Sequence, residues 1–251
     1  MLILAFDTAT PAVTVALHDG NRVLAQESAV DSRRHGELLA PAITKALAVA
    51  QATIADITTV AVGIGPGPYT GLRAGLVTAR VFGAALDIEV DGVCTLDIIA
   101  AQASGAAVLA RGDTLLAGGR PRTPDGPEPP AAGREFLVAT DARRREVYWA
   151  RYSPDATRLE GPHVGLPAEL PEGYPIAGEG PLLYSAGNPR SDVIEPRYPA
   201  GAVLAQLSAD RITAGLPPGD AEPLYLRRPD AREPGRPKRV TPAGLLGGAR
   251  A

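Results

Sequence analysis

An α/β fold in two lobes, the first built on a mixed sheet, follows from three features of this sequence. Its start reads as successive strands with a hairpin turn, its middle alternates strands with amphipathic helices, and a Pro-, Gly- and Arg-rich break runs from Gly112 to Arg134.

Each element has a local reason. Leu2 to Phe6 is a short apolar run that reads as a buried strand, Val13 to His18 alternates apolar and polar residues, and Arg22 to Ala29 is a third extended segment behind the turn Asp19-Gly20-Asn21. Leu38, Leu39, Ala42, Ile43, Ala46, Leu47 and Ala50 recur at helical spacing, so an amphipathic helix covers them, and Pro41 must sit early in that helix or kink it. Thr58 to Ile64 returns to strand. Gly65-Pro66-Gly67-Pro68 then turns the chain into a second helix from Thr70 to Ala85, followed by a strand, Ile88 to Val93, and a helix, Thr95 to Ala103. The resulting βββαβαβα order over residues 1–110 is that of the ribonuclease-H type half shared by actin-like proteins, and it also fits other α/β sheets.

Beyond this N-terminal lobe, residues 111–134 read as a flexible insertion and 135–222 as a smaller, irregular C-terminal lobe. That lobe has a strand pair, Phe136 to Thr140 with Glu146 to Tyr152, and a helix from Ala202 to Ala214. Residues 223–251 read as an apolar anchor, Pro223-Leu224-Tyr225-Leu226, and a basic tail whose removal after Arg228 should leave the fold intact.

Composition narrows the function. A single cysteine, Cys94, allows neither an internal disulfide nor a multi-cysteine zinc site and fits a reducing compartment. Met1 to Phe6 lacks the basic flank of a signal peptide, and no stretch approaches the roughly 20 apolar residues of a membrane helix, so a cytoplasmic protein without membrane contact is expected. The net charge of −3 is uneven: Arg227 to Ala251 carries seven basic residues against two acidic ones, which leaves about −8 on the rest. Bulk attraction to nucleic acid is confined to the tail.

Several motifs admit two readings. Asp7-Thr8 follows the first strand, where actin-like ATPases place an aspartate that organises magnesium beside phosphate; both side chains also suit a turn that satisfies its own backbone. Gly63 to Gly71 has the strand, glycines and helix start of an anion site, but no Gly-x-x-x-x-Gly-Lys, and Pro68 stands where the last glycine of Gly-x-Gly-x-x-Gly belongs. No two of the three histidines are spaced as a metal pair, and no Gly-x-Ser-x-Gly elbow occurs. Arg143-Arg144-Arg145 suits phosphate or RNA, and equally a polar turn between strands. On the second helix, Gly71, Gly75, Ala79 and Gly83 form a smooth stripe at four-residue spacing. Interior glycines cost roughly 1 kcal/mol each against alanine, so a closely approaching partner must offset them; either another protein's helix or the first helix of this chain would do so.

Four blocks carry a family resemblance: Ile3 to Thr10; Gly65-Pro66-Gly67-Pro68-Tyr69-Thr70-Gly71-Leu72-Arg73-Ala74-Gly75; Asp141 to Tyr148; and Pro223 to Arg227. In order and spacing they resemble the bacterial TsaB (YeaZ) family over nearly the whole chain, with two departures: Pro68-Tyr69 where Ser-Phe is commoner, and a longer insertion. The resemblance implies an actin-like fold and association with the catalytic paralogue TsaD and the ATPase TsaE. It also implies a supporting role in threonylcarbamoyl transfer to adenosine of tRNA, with tRNA contacted indirectly. In TsaD the first helix carries a His-x-x-x-His metal pair; here Leu39 stands four residues after His35. The expectation is a scaffold without catalytic centre, metal or cofactor of its own, with ATP or ADP at a joint interface and a homodimer as possible states. The alternative is a nucleotide-dependent transferase or a glycoprotease-like peptidase. Asp7 and Thr8 are the candidate cofactor residues. His35, Leu38, Leu39 and Ile43 on the first helix, with Leu72, Arg73, Gly75 and Ala79 on the second, are the candidate partner interface.

Overall fold

The computed structural model describes residues 1–105, 131, 133–184 and 192–227. Most of the expected insertion and the tail beyond Arg228 lie outside the described residues.

The first lobe is a five-stranded sheet. Its strands β1 (Ile3–Asp7), β2 (Ala12–His18), β3 (Val23–Val30), β4 (Thr59–Gly63) and β5 (Glu89–Val93) stand in the order β3-β2-β1-β4-β5, with β1, β4 and β5 parallel and β2 antiparallel to both its neighbours. That is the ribonuclease-H type arrangement expected from the sequence. Helices α1 (His35–Val49) and α2 (Tyr69–Leu86) follow β3 and β4. Because strand side chains alternate, β1 feeds two cores at once. Leu4 and Phe6 pack with Leu39, Ile43, Leu72 and Leu76 beneath α1 and α2, while Ile3 and Ala5 pack with Ile98 and Leu204 on the other face. Pro41 stands in the second turn of α1 on its exposed side, where its missing N–H removes the helical donor to the Glu37 carbonyl.

Helix α3 (Thr95–Ser104) leads out of this lobe. The second lobe is more regular than its loop-rich sequence suggests. Strands β6 (Phe136–Asp141), β7 (Val147–Tyr152), β8 (Arg158–Gly165), β9 (Ile176–Ala177) and β10 (Val193–Ile194) form a sheet in the order β10-β9-β6-β7-β8, and a short helix α4 (Gly180–Leu183) follows β9. Strands of two residues and a Pro- and Gly-rich connection hide this sheet from any periodicity. Both lobes open alike: β1 ends on Asp7 and β6 on Asp141, and each then turns into an antiparallel partner.

One element departs from its expected lobe. Helix α5 (Gly201–Thr213), grouped by sequence with residues 135–222, lies on the first sheet beside Ile3, Ala5 and Ala16. Gly201 makes this possible, since a Cβ there would stand 2.8 Å from the Val15 carbonyl carbon. The chain then runs back along the first lobe from Gly219 to Arg227.

Candidate functional site

Asp7 is wholly buried and its carboxylate is committed within the chain. Oδ1 accepts from the Ala9 N–H at 2.7 Å and Oδ2 from the Thr95 hydroxyl at 2.6 Å, while the bare backbone of Gly63 leaves room for it. Burial raises the Asp7 pKa above the usual carboxylate range, against the pull of those two bonds and of the nearby His35. Thr8 is equally engaged: its hydroxyl donates to the Gly71 carbonyl at 2.7 Å and accepts from the Gly75 N–H at 3.1 Å. The His35 ring donates from Nε2 to the Thr10 carbonyl at 2.7 Å. Asp7, Thr8, His35 and Gly75 therefore do come together, as one knot that ties the turn after β1 to the starts of α1 and α2.

That knot corrects the expected role of the glycine stripe. A Cβ on Gly71 would lie 2.4 Å from the Thr8 carbonyl oxygen, and one on Gly75 would lie 2.5 Å from Thr8 Oγ1. The stripe's partner is neither a foreign helix nor chiefly α1; it is the turn after β1 and, at Gly83, Val90 on β5. His35, Leu39, Ile43, Leu72, Gly75 and Ala79 are all buried inside the chain. Of the eight candidate interface residues only Leu38, half-buried, and Arg73, exposed, reach the surface.

The surface of the same two helices offers a different set. On α2 the side chains of Val77 and Val81 are each 60% exposed, one turn apart, with Arg73 one turn before Val77 and Arg80 alongside. On α1, Pro41, Lys45 and Val49 are exposed, and Leu38 and Ala42 are half-buried against the core. The segment Gly219 to Arg227 borders this face as a strap. Arg80 donates to the Ala221 carbonyl and pairs with Glu222 at 2.7 Å; Leu224 N–H donates to the Ile64 carbonyl. Arg73 donates to the Tyr225 hydroxyl at 2.9 Å and lies over the rings of both Tyr69 and Tyr225. Arg227 pairs with Glu146 in the turn between β6 and β7, so the strap also reaches the second lobe.

That turn holds the arginine run singled out from the sequence. Arg143, Arg144 and Arg145 all have positive φ, at 61°, 55° and 64°, a backbone state that costs side-chain-bearing residues about 1–2 kcal/mol each. Asp141 supports it: Oδ1 accepts from the Arg143 N–H at 2.7 Å, and Oδ2 pairs with the Arg143 guanidinium at 3.2 Å. Among the described residues no group of three His, Cys, Asp or Glu side chains is placed to hold a metal ion, and no helix is long and apolar enough to cross a membrane. Sequence reasoning missed Thr95 as the partner of Asp7, since 88 residues separate them and nothing local marks the pair.

Comparison with known proteins agrees with this architecture. A family model described as TsaD, tRNA N6-adenosine threonylcarbamoyltransferase, matches residues 23–114. The solved structure of YeaZ from Pseudomonas aeruginosa superposes with a TM-score of 0.66 at 25% identity, covering 90% of this chain and 99% of that one. Topology and superposition together define an actin-like, ribonuclease-H type protein of two lobes. An uncharacterized protein of Mycobacterium tuberculosis is 43% identical over 92% of this chain and 93% of its own length. The tRNA threonylcarbamoyladenosine biosynthesis protein TsaB of Escherichia coli is 32% identical over 62% of this chain, a match that spans just 56% of that relative. The chain belongs to the TsaB (YeaZ) family.

Proposed function

We propose that this chain acts in tRNA threonylcarbamoyladenosine biosynthesis as a non-catalytic subunit, pairing with a TsaD-type transferase and activating it for threonylcarbamoyl transfer to adenosine. Family membership supports the pathway, and the match of residues 23–114 to the TsaD model supports a paralogous partner of related shape. The observation that carries the pairing is the outer face of α2, where Val77 and Val81 stand 60% exposed on a helix whose other face is wholly buried. Fully burying a valine gains about 1.5–3 kcal/mol, and the flanking Arg73 and Arg80 supply a charged rim of the kind interfaces use. A second copy of this chain could occupy the same face in isolation, and a TsaE-type ATPase joins once the pair has formed.

The test is co-elution and reconstitution. Val77→Arg combined with Val81→Arg places two charges in the proposed apolar contact while leaving the buried face of α2 untouched. The variant should melt like the wild-type chain, fail to co-elute with the TsaD-type partner, and fail to support transfer to tRNA. Co-elution at wild-type strength removes α2 from the interface; transfer proceeding equally well without this chain removes the function.

A further inference from the structure

Between the lobes lies a cleft of about 600 Å³, walled by Pro11 and Arg33 on one side and by Asp141, Arg143, Glu179 and Tyr198 on the other. Glu179 precedes α4 and is only 3% exposed, yet its Oε1 has no hydrogen-bond partner among the described residues. Tyr198 lies beside the same carboxyl group, and burial, reinforced by the negative charge of Asp141, pushes the Glu179 pKa up to about 7. An acceptor buried without a partner is destabilising, and a ligand whose donor reaches the Glu179 carboxyl group relieves it.

The fixed charges around the cleft decide what kind of ligand. Asp31 and Asp141 stand against Arg33 and Arg143, with Glu179 divided between its two protonation states near neutrality. A polyanion such as a nucleoside triphosphate would meet the carboxylates without enough positive charge to balance them. A molecule with one charge of each sign is matched. Arg143 is tied to Asp141 but keeps half its side chain in solvent, and Arg33 faces it from the first lobe as an exposed residue.

We propose that the interlobe cleft binds a free α-amino acid, its ammonium group donating to the Glu179 carboxyl group and its carboxylate lying against the Arg33 and Arg143 guanidiniums. Charge-assisted bonds at both ends supply orientation, and Pro11 with the Tyr198 ring supplies apolar walls for the side chain. The site is separate from the α2 face, so its occupancy is measurable on the purified chain alone.

Titration calorimetry of the full chain with each proteinogenic L-amino acid tests this. At least one amino acid binds, and its N-acetyl and carboxamide derivatives, each lacking one of the two charges, do not. Glu179→Gln keeps the shape of the side chain, removes its charge, and should weaken binding at least about 10-fold. Arg33→Ala changes an exposed side chain, leaves the fold intact, and should weaken binding to a similar degree. No binding of any amino acid up to about 10 mM, equal affinity for the singly charged derivatives, unchanged affinity in the two variants, or saturation by ATP in place of an amino acid overturns the proposal.

Discussion

Gly75 and Gly36 are both helical glycines, and they predict opposite responses to alanine. At Gly75 the new methyl group would stand 2.5 Å from Thr8 Oγ1, an atom already bonded to the Gly75 N–H and the Gly71 carbonyl, so it has no free direction in which to move. Gly75→Ala should destabilise the chain by about 1–3 kcal/mol in denaturant unfolding, overpacking outweighing the gain in helix propensity. Gly36, on exposed α1, has nothing within 4 Å of the added carbon, and Gly36→Ala should be neutral or stabilising by up to about 1 kcal/mol. Glu179 yields a prediction in pH. Its pKa rises from an ordinary 4.5 to about 7 on folding, so between those values the native state keeps a proton that the unfolded chain has lost. Its contribution is therefore fully present below about pH 4.5 and is lost as pH rises through 7. Glu179→Gln cannot titrate, and its stability measured from pH 4.5 to 8 should fall less steeply than that of the wild-type chain.

Among the elements, the strap has a larger role than its short apolar sequence implies. Deleting everything after Glu222 removes the Leu224 bond to Ile64, the Tyr225 packing on Tyr69 at 5.0 Å, the Arg73 bond and the Arg227 pair with Glu146. That truncation should lower the midpoint of thermal unfolding by several degrees, each lost neutral bond counting for about 0.5–1.5 kcal/mol. Truncation after Arg228 keeps every one of those contacts and should leave the midpoint within about 1 °C. Equal midpoints for the two truncations would show that the strap adds nothing to the fold. Helix α2 is thus committed on three sides, to the β1 turn, to α1 and to the strap, and its fourth side carries Val77 and Val81.

The whole molecule joins two lobes that open on the same plan, each first strand ending in an aspartate, with a strap and a cleft between them. Both aspartates are engaged: Asp7 by Ala9 and Thr95, Asp141 by the Arg143 N–H, the Arg143 guanidinium and the Tyr184 hydroxyl at 2.6 Å. Every oxygen of the two carboxylates is thus already engaged within the chain. We expect the purified chain, freed of contaminants, to hydrolyse ATP far below the roughly 1 per second of ordinary enzymes; turnover at that rate, lost in Asp7→Asn, would make the chain an enzyme in its own right.

The sequence alone determined the first sheet, because its strands and helices carry strong local periods and the turns at Asp19-Gly20-Asn21 and Gly65 to Pro68 punctuate them. It also determined the family, through blocks at Asp7, Gly65 to Gly75, Asp141 and Pro223 that the fold gathers around the cleft and α2. Tertiary structure decided what each feature faces. A glycine stripe states that something comes close, but helical spacing carries no information on whether that neighbour is another protein or Thr8. The second sheet, the return of α5 to the first lobe and the partners of Asp7 rest on pairings between residues far apart in the chain. Such pairings leave no local period in a single sequence, because the physical force that selects them, burial against a distant surface, exists only once the chain has folded.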